Sequence, residues 1–96
     1  MVVGVCQVRL AVFEGASLKQ KRSVVRRIVS RVRTAFNVAV AEVADQDDHA
    51  HAVLGFAVVG NDHRVVNAVI DRVVNHIEGL FLADIEDHRY EILHIE

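Results

Sequence analysis

The residues with most chemistry to offer lie between Ser17 and Arg33. That stretch, SLKQKRSVVRRIVSRVR, holds seven of the chain's eleven Lys and Arg residues and no acid. Cations at that density can hold phosphate groups. The stretch also has helical spacing, and its first turn carries Lys19, Lys21 and Arg22. Such a turn exposes unpaired backbone N–H groups at the positive end of the helix dipole, where carboxylates are the favoured residues. Each cation placed there costs about a few tenths of a kcal/mol, so negative charge should come from somewhere. One source is a bound anion, with Lys19, Lys21 and Arg22 around the helix N-terminus and Arg26 and Arg33 extending a track along a nucleic-acid backbone. The other is an acid of the chain itself, such as Glu42 or a C-terminal carboxylate. The basic edge would then be a solvated surface whose long side chains cover apolar neighbours.

Other reactive groups are sparse. In DDHAH, His49 and His51 alternate along a strand with Asp47 and Asp48 beside them. Two nitrogens with flexible carboxylates are a poor zinc set, and a polar hairpin tip accounts for the same residues. His63, His76, His88 and His94 are scattered. Ser17 reads as a helix cap, and Ser23 and Ser30 as ordinary helix residues, so no nucleophile–base pair emerges. The single cysteine, Cys6, excludes an internal disulfide and a cysteine-based zinc site. It lies in an apolar run and reads as an inert core residue. No catalytic residue, metal or cofactor is expected, and the chain reads as non-enzymatic.

The elements that position these residues follow from periodicity. Residues 2–13 alternate as a long strand, with Gly4, Cys6, Val8, Leu10 and Val12 on an apolar face that should meet helices. Ser17 with Gln20 three positions on forms a capping box and starts the first helix. On that helix Leu18, Val25, Ile28, Val29, Val32 and Ala35 share a face. Arg22, Arg26, Arg33 and Lys19 line one edge of it, Arg27 and Arg31 lie on the far side, and Lys21 projects near the apolar stripe. FNVAVAEVAD (36–45) and HAVLGFAVVG (51–60) read as a hairpin joined by the polar turn QDDHA. GND (60–62) supplies a turn and a cap. Val65, Val66, Val69, Ile70, Val73, Val74 and Ile77 trace a second helix ended by Gly79. A charged strand from about 84 to 95 suits a sheet edge. The order β-α-β-β-α-β predicts an α+β ferredoxin-like sandwich in one domain, residues 1–96. Four antiparallel strands form the sheet, strands one and three are central, and both helices lie on one face.

The segment SLKQKRSVVRRIVSRVRTAFNVAVAEVADQD, followed by AVLGFAVVGND, resembles the YlxP-like family, also called domain of unknown function 503. The likeness covers nearly the whole chain and is most specific at S-L-K-x-K-R and F-N-V-x-V-A-E-V. It points to Ser17, Leu18, Lys19, Lys21, Arg22, Asn37, Glu42 and Asp47. The resemblance implies a bacterial protein of ferredoxin-like fold whose genes often neighbour those for translation initiation and ribosome maturation. It implies no mechanism. His49 stands where the family pattern expects an aromatic in the hairpin.

Two familiar activities of this fold find little support. Base stacking needs aromatics on strands one and three, and LGFAVV offers only Phe56 while strand one offers Val5 and Gln7. An acylphosphatase-like site needs an arginine-bearing phosphate loop before the first helix, and metal carriers need cysteines there. FEGAS has neither. The expected role is therefore that of a binding module for RNA or a ribonucleoprotein through the Lys19–Arg33 edge. The competing reading is a structural homodimer that binds another protein, its basic edge merely solvated.

Composition bears on assembly. Half of the residues are apolar, mean hydropathy is +0.26, and there is no Trp. Val3, Val5, Ala11 and Phe13, with Ala39, Ala41 and Val43, would leave an apolar sheet face without a cover. Strand three is apolar on both sides, so a homodimer through the open sheet is expected. No run approaches the roughly 20 apolar residues of a membrane span. The opening segment lacks a basic leader and cleavage site, so a cytoplasmic location is expected.

Overall fold

The computed structural model describes residues 1–96. Alternating apolar side chains form β1 (Val2–Ala11), whose Cys6, Val8 and Leu10 are buried. Gly15, with φ +79°, turns the chain into α1 (Leu18–Ala35). Ser17 caps that helix through a capping box. Its hydroxyl accepts from the Gln20 N–H at 3.1 Å, while its own N–H donates to the Gln20 side chain at 2.8 Å. Then come β2 (Ala39–Ala44), β3 (His51–Gly60), α2 (His63–Gly79) and β4 (Asp84–His94). Asp62 caps α2, its carboxylate accepting from the Arg64 N–H at 2.8 Å.

The sheet order is β2-β3-β1-β4 and every pairing is antiparallel. The two longest apolar strands are thus central and the charged β4 is an edge, as alternation and charge predict. Both helices lie on one sheet face. There Val8, Leu10 and Leu54 pack with Ile28 and Val32 of α1 and Ile70, Val73 and Ile77 of α2. Gly4 allows α2 to come close: a Cβ at that position would lie 2.6 Å from a Val66 methyl group.

Several element boundaries differ from the sequence reading. β1 ends at Ala11, because the Val12 N–H turns to the carbonyl of Ala50 at 2.8 Å. Phe13 therefore leaves the sheet and is not part of its open face. β2 starts at Ala39 rather than at Phe36, whose ring meets His76 edge-on at 5.3 Å between centroids. β3 runs from His51 to Gly60 as the sequence indicates, so His49 lies exposed in the turn rather than alternating with His51 along a strand. Gly79 closes α2, yet the left-handed residue that redirects the chain is Phe81, with φ +54° and its side chain 90% exposed.

Candidate functional site

The three cations in the first turn of α1 have three different fates. Lys21 is wholly buried, with 0% exposure. Its ammonium lies 2.6 Å from Oε2 of Glu42 and donates to the carbonyls of Asp45 at 2.8 Å and Gln46 at 3.2 Å. That Glu42 oxygen is itself buried and has no partner but Lys21. Lys21 therefore does not belong to an anion-facing edge, where the sequence reading places it. The reason is its phase. Position 21 shares a stripe with Val24, Val25, Ile28 and Val32, so its stem enters the core and only its head reaches polar atoms. The acid that answers the helix dipole problem at this position is internal.

Arg22 is half-exposed and 4.0 Å from the fully exposed Asp47, a loose pair that surface screening makes weak. Arg33 donates to the carbonyl of Val40 at 3.0 Å and so ties the end of α1 to β2. The residues shared with the family motif thus largely find one another. Ser17 caps, Lys21 meets Glu42 and Arg22 approaches Asp47, while Leu18 is half-buried at the helix entrance and Asn37 is exposed after the helix.

Lys19 and Arg26 remain on the outer surface. They line a shallow concavity of about 440 Å³ together with Arg27, Arg31, Ser23 and Ser30. The far side of the helix and its basic edge form one surface, because α1 buries only a narrow stripe. Serines at positions 23 and 30 are small, and the longer basic side chains stand around them. None of the four cations takes part in an ion pair, and no acid lines the concavity. Arg26 makes one long bond, 3.4 Å, to the carbonyl of Arg22.

The histidines are dispersed among other tasks. His51 lies 3.3 Å from Asp48 and 3.4 Å from Glu86, while Arg9 reaches Glu86 at 3.2 Å and Asp45 at 3.4 Å. This network joins the β2–β3 turn to β4. Asp48 also accepts from the N–H of Ala50 at 2.7 Å and of His51 at 3.1 Å. These bonds, that of Ala50 foremost, hold its carboxyl below the usual Asp value. His63 and His94 stack with ring nitrogens 2.8 Å apart. Cys6 is buried, and desolvation pushes its thiol up to about 11.

No helix is long and apolar enough to cross a membrane. Structures of similar fold include one from Chloroflexus aurantiacus J-10-fl, at a TM-score of 0.57 and 10% identity over 100% of this chain and 96% of that one. Another is a de novo designed protein with a ferredoxin fold, at 0.53 and 15% over 97% and 83%. At these identities the likeness concerns the fold alone. In sequence, the chain is 30% identical over 78 residues to the uncharacterised protein YlxP of Bacillus subtilis (strain 168), covering 81% of this chain and 85% of that protein. The model of the family described as protein of unknown function (DUF503) matches residues 3–90. This chain, with its ferredoxin-like fold, belongs to that family.

Proposed function

We propose that this chain is a non-enzymatic binding module that takes RNA, alone or within a ribonucleoprotein, on the outer face of α1. One observation carries the reading: Lys19, Arg26, Arg27 and Arg31 converge on a concavity that no acid lines. The cations nearer the sheet are answered by Glu42, Asp47 and the Val40 carbonyl, whereas these four face solvent. Guanidinium groups suit bidentate phosphate contact, and Ser23 and Ser30 add hydroxyl donors between them. The site differs from the sequence expectation in losing Lys21, Arg22 and Arg33 and gaining Arg27 and Arg31. Contacts of this type go to the phosphate backbone, so the affinity is electrostatic and weakly dependent on base sequence. A cytoplasmic setting and a connection to translation accord with this role and with the family resemblance.

The test is a titration of a labelled single-stranded RNA by fluorescence anisotropy at several salt concentrations. Wild-type affinity should fall steeply with salt. Replacing Lys19, Arg26, Arg27 and Arg31 by Ala should abolish most binding, each lost phosphate contact lowering the slope by about 0.7. Arg33→Ala should leave the slope unchanged. Absence of RNA affinity in the wild type at low salt would exclude the reading.

A further inference from the structure

The sheet face turned away from the helices has no element of the chain over it. On it the strand registers build cross-strand rows. One row runs Arg89, Gln7, Gly55, Ala41, and the next runs Glu91, Val5, Ala57, Ala39. Both rows line a broad trough of about 870 Å³. Apolar side chains around it stay in water, with Val59 67% and Val43 47% exposed.

We propose that a second copy of this chain covers this face, about a two-fold axis that runs between the two rows, midway between the stacked sheets. Such an axis reverses the strands and lays each row on the other row of the partner. Arg89 then faces the partner's Glu91, and Glu91 faces the partner's Arg89. Ala41 meets the partner's Ala39, and the methyl groups of Val43, which lie over Gly55, meet the partner's Ala57, so compact apolar residues oppose one another and the sheets can pack at about 10 Å. Farther out, Val59 meets the partner's Val53. Val3 covers the stem of the partner's Arg9, whose head Glu86 and Asp45 hold. The mismatches are Gln7 over the partner's Val5, beside the axis, and Leu93 over the partner's Asp87, at the rim.

Two arguments favour a copy over a foreign partner. First, the face carries both halves of its own charge pattern in adjacent rows, the self-complementarity that an isologous interface requires. Second, the area suffices. Strands of 10, 6, 10 and 11 residues, about 4.8 Å apart and rising about 3.3 Å per residue, give a face of about 600 Å². Covering it on two copies removes about 1,200 Å² from water, within the range of stable interfaces. The axis leaves α1 of each copy on the outside, so this assembly stands whether or not α1 binds RNA.

Sedimentation equilibrium of the purified full chain and two sets of variants tests the assembly. The wild type should be a dimer at micromolar concentration. Ala57→Asp should be monomeric with an unchanged circular dichroism spectrum. Arg89→Glu should weaken dimerisation about tenfold through like-charge opposition, and Arg89→Glu combined with Glu91→Arg should restore it. Should Ala57→Asp misfold, the exposed pair Arg89 and Glu91 decides alone. A monomeric wild type, a dimer indifferent to Ala57→Asp, or a charge swap that fails to restore association would each overturn the proposal.

Discussion

Lys21 and Glu42 form an ion pair of 2.6 Å at the point where the first turn of α1 meets β2, with the ammonium wholly buried. Two carbonyls of the β2–β3 turn, those of Asp45 and Gln46, complete its shell. The pair therefore joins three elements, and a cation in an awkward place for the helix dipole becomes a fastening for the hairpin. Removing one partner strands a charge in the core. Glu42→Gln should cost about 3 kcal/mol by urea denaturation, and the double change Lys21→Met with Glu42→Leu should recover most of it, since a packed apolar pair needs no desolvation. A loss below about 0.5 kcal/mol for the single variant would mean that water reaches the site.

Gly4 faces α2 with no room for a methyl group. A Cβ there would lie 2.6 Å from Cγ1 of Val66 and 2.8 Å from Cδ1 of Ile70. Gly4→Ala should lower stability by about 1–3 kcal/mol through overpacking, and adding Ile70→Val should recover part of it. Thermal melting of the two variants checks both values.

Phe81 has the opposite problem. Its φ of +54° is costly for a residue with a Cβ, and its ring is 90% exposed, so packing returns little. Phe81→Gly should raise stability by about 1 kcal/mol, the conformational cost outweighing the added freedom of the unfolded chain. Chemical denaturation with an unchanged m-value is the measurement.

Cys6 should be chemically silent in the folded protein. Burial pushes its thiol up to about 11, so almost no thiolate exists at pH 8. A disulfide reagent at that pH should modify the native chain slowly, at a rate set by opening, and the denatured chain at once. Rapid modification of native protein would contradict its burial.

Asp48 ties acid stability to the hairpin turn. Its carboxyl is lowered chiefly by the Ala50 N–H, then by the His51 N–H and side chain, which favour the charged form. A carboxyl depressed in the folded state contributes stability that is complete above its ordinary value of 3.8 and is lost as pH falls through the lowered one. The amide resonances of Ala50 and His51 should therefore titrate together below pH 3.8. In Asp48→Asn that transition should vanish, leaving the turn's contribution independent of pH in this window.

The sequence by itself determined the architecture, because its signals are local and periodic. Alternation in 2–13 and a continuous apolar run in 51–60 marked two strands, the spacing of Val25, Ile28 and Val32 marked α1, and Ser17 with Gln20 marked where that helix begins. The charge of the strand from about 84 to 95 marked β4 as an edge, since its many charged side chains need access to water. Strand ends were less legible: Val12 leaves β1 for a bond to Ala50, a partner nearly forty residues away. The division of labour among the cations was decided only in three dimensions. Sequence spacing places Lys19, Lys21 and Arg22 in one turn, but the depth of each depends on where β2 and its turn lie over the helix. Tertiary packing drew Lys21 inward to Glu42, turned Arg33 to a β2 carbonyl, and left Lys19 and Arg26 beside Arg27 and Arg31. A charge can be counted in a sequence, but whether it faces water or a buried acid depends on what the fold places opposite it.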